Sequence, residues 1–181
     1  MPLVHDVPEA FSEAECDALI ALGARAGFAP ATVLTAAGEA VAAAVRSAGT
    51  SYHPRAPATA WIYDRLDRLF GEAGAALGLA VGPVSEPLQI LRYEEGGHFQ
   101  TWHSDAGYDA RHVRLVSVSV ELSPLGGYRG GDLEIVPDTI GRVRTLPRGG
   151  ARFFPSKALH RVTPVTDGVR HALVIWTGPP D

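Results

Sequence analysis

His103-Ser104-Asp105 sets an imidazole and a carboxylate two residues apart. In an extended chain, positions i and i+2 project to the same side, so both groups can face one metal ion. At this His and Asp content, about 0.4 such triplets arise by chance, so the motif needs context. His160 supplies a second imidazole at the start of an expected strand, and Arg170 opens the last expected strand, across an Asp167-Gly168 turn. Two imidazoles and one carboxylate on one face of a metal leave three positions open, an arrangement suited to Fe(II) and oxygen chemistry. The single Cys16 excludes an intrachain disulfide and every multi-cysteine metal site.

Those residues need a frame, and the hydrophobic pattern predicts one. Ser12-Glu13-Ala14-Glu15 is a capping box, Phe11 and Cys16 are placed for a hydrophobic staple, and Gly27 is a stop. A second helix fits Ala60 to Leu77, with Ile62, Leu66, Leu69, Phe70, Ala73 and Leu77 on one face and an Asp64–Arg68 pair on another. The Ala-rich segment between the helices fits helix or strand, and Thr50 to Pro57 reads as a loop. From Leu88 onward the period shortens to that of strands: Leu88–Tyr93, Val113–Leu122, Asp132–Val136, Arg142–Leu146, Ala151–Phe154, His160–Val165 and His171–Thr177. Seven or eight short strands between Gly- and Pro-rich turns predict a sandwich, jelly roll or small barrel with the helices packed outside.

Length and composition bound the rest. The chain has 181 residues, 46% of them hydrophobic and 20% charged, which suits one globular domain over 1–181. Within it, residues 1–80 are expected to form a helical support and 88–178 the β core, because 22 of the 27 alanines fall in the first 80 residues. A net charge of -4 argues against nucleic-acid binding. No apolar run is long enough for a membrane span and no signal-peptide pattern opens the chain, so a cytoplasmic location is expected.

Four motifs in order turn these features into a resemblance. Leu91-Arg92-Tyr93-Glu94-Glu95-Gly96-Gly97-His98-Phe99 leads into Trp102-His103-Ser104-Asp105. Tyr128-Arg129-Gly130-Gly131-Asp132-Leu133 follows, and then Pro155 to Val165 with Gly168-Val169-Arg170. Together they resemble the prolyl 4-hydroxylase and PKHD-type branch of the Fe(II)/2-oxoglutarate dioxygenases, over about residues 88–178. The resemblance implies a double-stranded β-helix, a cupin-like jelly roll. It implies Fe(II) held by His103, Asp105 and His160, with 2-oxoglutarate and O2 as co-substrates and ascorbate as an optional reductant. Arg170 would pair with the distal carboxylate of 2-oxoglutarate, since its planar fork makes two charge-assisted bonds to one carboxylate. On this reading Arg170→Ala weakens co-substrate binding and spares the fold. Tyr93 would donate a phenolic hydrogen bond to the co-substrate, and Leu133, Val174 and Trp176 would be apolar walls. Glu121 stands where this family carries an apolar or aromatic residue; facing inward it would join the substrate or a polar network, and facing outward it would be solvated.

The implied function is hydroxylation of an amino-acid side chain, with prolyl in a peptide or protein first, and succinate and CO2 as by-products. Asp105 favours hydroxylation over halogenation, because related halogenases replace that carboxylate with a small residue. Trp176 stands where AlkB-type nucleic-acid demethylases carry a second Arg. Hydroxylation of a free amino acid or small metabolite is the alternative within the class. A non-catalytic metal-binding jelly roll and a zinc hydrolase are the alternatives outside it; the second lacks an H-E-x-x-H helix. Substrate contacts are expected from the Thr50–Thr59, Ala106–His112 and Pro124–Arg129 loops. Arg46, Arg55 and Arg129 either reach a substrate or are solvated, with solvation preferred; His5, His53, His112 and His171 read as surface or loop histidines, and His98 and Trp102 as core or rim packing. The oligomeric state is not encoded in any of these features.

Overall fold

The computed structural model describes residues 3–35, 38–107, 113–136 and 146–180. The chain opens with β1 (His5–Val7), α1 (Glu13–Ala26), β2 (Ala29–Pro30), β3 (Val33–Thr35), β4 (Gly38–Ala40) and β5 (Gly49–His53). Then come α2 (Ala60–Leu77), β6 (Leu88–Tyr93), β7 (Phe99–His103), β8 (Val116–Glu121), β9 (Tyr128–Gly130) and β10 (Leu133–Ile135). The last four strands are β11 (Ala151–Pro155), β12 (His160–Val162), β13 (Val165–Gly168) and β14 (Arg170–Thr177).

Seven strands form the main sheet in the order β1-β11-β8-β14-β6-β5-β2. A three-stranded sheet, β10-β12-β7, faces it, and β13-β9 and β3-β4 form two-stranded ribbons. All of these pairings are antiparallel. The expected jelly roll with outer helices is therefore present. Period-two alternation builds it. In β8, Val116, Val118 and Val120 enter the core beneath the helices, while Ser117 and Glu121 turn to the other face. In β14, Leu173 and Ile175 join that core, while Arg170, Ala172, Val174 and Trp176 line a cavity between the two sheets.

Both helices form for the reasons legible in the chain. Ser12 accepts from the Glu15 N–H, and the Glu15 side chain accepts from the Ser12 N–H. Phe11 and Cys16 are buried in one core, and Gly27 caps the end. The predicted apolar face of α2 is buried throughout, and its end is fixed by Gly78 at φ 69, a left-handed conformation that glycine adopts without a Cβ clash. α1 packs on β5 and β6, and α2 on β11 and β1.

Several local expectations are corrected. Among the described residues, the first 80 positions supply five strands as well as the helices. The expected loop at Thr50 is β5, laddered on both sides by β2 and β6; Gly, Ser and a His-Pro end hide a strand whose burial comes from its neighbours. His53 is accordingly buried and bonded to Ser51 Oγ at 2.9 Å, not a surface histidine. The stretch His160–Val165 is two strands, split at Thr163-Pro164 because proline cannot continue a ladder. Asp64 pairs with Arg55 and Arg68 with Glu72, so the expected Asp64–Arg68 pair gives way to a preceding-loop arginine that spans Asp64 and Asp67. The expected strand at Arg142–Leu146 and loop residue His112 lie outside the described residues, Leu146 excepted.

Candidate metal centre and co-substrate pocket

The two histidines of the sequence motif meet through strand register: His103 in β7 lies directly opposite His160 in β12. Each is oriented by its backbone. His103 Nδ1 bonds the Thr101 carbonyl at 2.8 Å, and His160 Nδ1 bonds the Ala158 carbonyl at 3.0 Å. A protonated Nδ1 leaves the Nε2 lone pair for a metal, and both Nε2 atoms turn to the same point. Asp105 follows β7 and is fixed there by its N–H to the Ser156 carbonyl at 2.8 Å. Its carboxylate lies 3.3 Å from His160 Nε2 and 4.0 Å from His103 Nε2. One ligand atom from each of the three side chains lies within 4.8 Å of the other two. The sequence triplet is thus brought together.

Outer contacts aim the carboxylate. Trp176 Nε1 donates to Asp105 Oδ2 at 2.7 Å, and Ser117 Oγ donates to the same oxygen at 2.9 Å. Trp176 lines the cavity as expected, yet it is a hydrogen-bond donor to the acidic residue and more than an apolar wall. On its face lies the Arg114 guanidinium, 3.8 Å from the ring centroid, held by Glu86 through two bonds of 2.7 and 2.5 Å. Phe99 stacks on His103 with centroids 3.6 Å apart, and the Arg46 guanidinium lies over the Phe99 ring, 5.1 Å from its centroid.

The electrostatics match a cation site. Burial drives His103 down to about 4, with the neighbouring His160 acting in the same direction. Burial alone would lower His160 too, but the bond and charge of Asp105 raise it. Burial would raise Asp105, whereas bonds from His160 and Trp176 hold it well below the usual carboxylate range. An anionic carboxylate between two oriented imidazoles, one of them kept neutral, is a donor set that fits a divalent ion such as Fe(II).

A cavity of about 710 Å³ extends from this centre between the sheets. Tyr93, Leu133, Arg170 and Val174, all named from the sequence, line it along with Ala172. Arg170 and Tyr93 are cross-strand neighbours in β14 and β6. Gly131 at φ 65 leaves room for Arg170, whose Cδ would lie 3.0 Å from any added Cβ. Arg170 is not alone at this end. Glu121 faces inward, and Arg170 Nε donates to its Oε2 at 3.1 Å.

The mouth differs from expectation. Thr32, Val33, Ala42, Val45 and Arg46 line it, from the segment whose structure the sequence left open. From the expected rim loops, Tyr52 contributes from within β5 and Gly107 from the Ala106–His112 loop, while no residue of the Pro124–Arg129 turn lines the cavity and residues 108–112 lie outside the described residues. Arg46 thus reaches the cavity, Arg55 is tied to α2, and Arg129 is exposed. Ser117, Glu121, Phe99, Arg46, Arg114 and Glu86 are among the site residues that sequence reasoning missed or left undecided. The signal for the first two was the Ser-x-Ser-x-Glu alternation within an otherwise valine strand.

The profile of the 2OG-Fe(II) oxygenase superfamily matches residues 88–178, the β core that carries the centre. The chain belongs to this superfamily. A PKHD-type hydroxylase of Parvibaculum lavamentivorans is 37% identical over 123 residues, covering 64% of this chain and 52% of the relative. One from Idiomarina loihiensis is 36% identical over 102 residues, covering 53% and 46%. The chain spans about half the length of the curated relatives it matches. Its fold is that of a Pseudomonas putida prolyl-4-hydroxylase, with a TM-score of 0.76 at 18% identity over 99% of this chain and 94% of that one. A prolyl hydroxylase from Trichoplax adhaerens, solved with a hypoxia-inducible-factor peptide, gives 0.77 at 17% identity over 97% and 83%. Among the described residues of this oxygenase-family chain, no helix is long and apolar enough to cross a membrane.

Proposed function

We propose that residues 1–181 form one catalytic domain of an Fe(II)- and 2-oxoglutarate-dependent hydroxylase acting on an amino-acid side chain, a prolyl residue of a peptide or protein. The observation that carries this reading is the convergence of His103, Asp105 and His160 in a cavity that a buried Arg170 also lines. The β5–β6 ladder joins the first half of the chain to the second, which supports a single domain.

In this reading the two Nε2 atoms and the Asp105 carboxylate hold Fe(II). The metal, when bound, supplies coupled oxidative decarboxylation of 2-oxoglutarate and insertion of one oxygen atom of O2 into a C–H bond, with succinate and CO2 released. Thr101 and Ala158 fix the imidazole tautomers, and Trp176 with Ser117 fixes the carboxylate, so little reorganisation is needed at the metal. Arg170 and Tyr93 receive the distal carboxylate. Leu133, Ala172 and Val174 make apolar walls that keep water from the reacting end.

The peptidyl substrate draws support from the prolyl hydroxylases among the structural neighbours and from a cavity lined also by Thr32, Val33, Ala42, Val45, Arg46 and Tyr52. The buried free thiol of Cys16 suits a reducing, cytoplasmic setting. The test is anaerobic reconstitution with Fe(II) and 2-oxoglutarate, then oxygen with prolyl peptides and free amino acids. Succinate should form in step with a peptide heavier by one oxygen atom. If a free amino acid turns over at roughly 10⁴ M⁻¹s⁻¹ or more and capping its amine or carboxylate abolishes turnover, the substrate is the free amino acid. Absence of both metal binding and succinate overturns the function itself.

A further inference from the structure

A carboxylate lies behind the pocket wall: Glu121, bonded to the lining residue Arg170. Glu121 and Arg170 are 6% and 4% exposed, so water screens neither charge well. Glu121 is also anchored independently of Arg170. Tyr128 donates its hydroxyl to Oε2 at 3.0 Å, and the Ser123 N–H donates to Oε1 at 3.1 Å. Its backbone is locked opposite Ala172 in the β8–β14 ladder. Glu121 therefore cannot swing away to yield Arg170 to an incoming anion without breaking two further bonds. We propose that Glu121 is a specificity-determining residue of the co-substrate pocket: it neutralises Arg170 in advance, so that the pocket distinguishes a charged from an uncharged distal group on a 2-oxo acid only weakly.

The proposal rests on the co-substrate reading above and sharpens it. A carboxylate arriving at the remaining N–H groups of Arg170 meets one positive charge and, across the guanidinium, one negative charge. Attraction and repulsion then largely cancel, and hydrogen bonding is what remains. The ligand class that fits is a short 2-oxo acid whose distal group is either a carboxylate or neutral, with Leu133, Ala172 and Val174 along its chain. A buried arginine with no internal partner would instead favour the dicarboxylate by roughly thirty-fold to several thousand-fold.

The experiment measures anaerobic calorimetric binding of 2-oxoglutarate and of 2-oxopentanoate, which replaces the distal carboxylate with a methyl group, to the Fe(II)-loaded protein. Wild type should prefer 2-oxoglutarate by less than about thirty-fold. In Glu121→Gln, which keeps an acceptor for Arg170 and removes the charge, the preference should rise about tenfold or more. That rise should come from tighter 2-oxoglutarate binding with the neutral analogue unchanged. A residue that only positioned Arg170 would give the reverse, a smaller preference in the variant. If Glu121→Gln does not fold, the wild-type ratio decides alone. A wild-type preference above thirty-fold, or an unchanged or smaller preference in the variant, overturns this inference only. Binding of neither 2-oxo acid overturns it together with the co-substrate reading.

Discussion

Arg170→Ala, expected from sequence to weaken co-substrate binding and spare the fold, should also destabilise the metal-free protein. The side chains of Arg170 and Glu121 are 5% and 8% exposed, and removing the arginine leaves the glutamate as a buried, uncompensated charge. Breaking one side of such a pair typically costs about 3–5 kcal/mol. Two features place this case near the lower end. The pair is joined by the single Nε bond at 3.1 Å, and Tyr128 and the Ser123 N–H continue to serve the carboxylate. A loss of about 3 kcal/mol is a large part of the 5–15 kcal/mol that holds a typical domain together. At roughly 2–4 °C per kcal/mol for a chain of this size, the midpoint should fall by about 6–12 °C. The assay is thermal and urea unfolding of wild type, Arg170→Ala, and the double exchange Arg170→Met with Glu121→Leu. Replacing both charges by apolar groups of similar volume should bring stability back to within about 1 kcal/mol of wild type. A loss below about 1 kcal/mol in Arg170→Ala, or a double variant no more stable than it, would refute the reasoning.

Trp176→Phe removes the indole donor to Asp105 and should lower divalent-metal affinity roughly ten- to a hundred-fold in a chelator competition, while the Ser117 bond remains. Gly131→Ala should weaken 2-oxoglutarate binding, because a methyl at φ 65 is strained and meets the Arg170 stem at 3.0 Å; equal affinity by calorimetry counts against the packing described. Acid should weaken the N-terminal part of the fold through Glu15, which Arg65 and the Ser12 cap hold at about 2 against an ordinary 4.5. That stabilisation is whole above the unfolded value and is lost as pH falls towards 2, so Arg65→Ala should flatten the decline in stability between pH 5 and 2 seen by circular dichroism.

What was legible in the chain was whatever depends on local period and on side-chain chemistry. Ser12, Glu15 and Gly27 bounded α1, and the apolar face of α2 gave Ala60 to Leu77. The metal-binding candidates were legible because the His103-Ser104-Asp105 triplet, weak alone, stands among four motifs in order that include His160 and Arg170. What was hidden depends on partners far away in sequence. β5 is a strand because β2 and β6 flank it, and no pattern within Gly49–His53 reports those neighbours. Trp176 looked like a wall because its indole finds Asp105 only when β14 lies beside the loop after β7.

Glu121 marks the boundary between the two. Its departure from the family pattern was visible, and so was the alternation of Ser117, Ser119 and Glu121 with valines whose apolar face had to be buried. Since the valines face the helices, the polar residues face the other sheet, and three polar side chains turned into a sheet-to-sheet interior need partners there. That argument alone predicts an internal polar network without saying where it ends. The structure supplies the ends: Ser117 on Asp105 and Glu121 on Arg170. One strand therefore steadies the metal end of the cavity and neutralises the far end. A single-residue register slip in β8 would turn both side chains into the helical core and leave Asp105 and Arg170 without these partners.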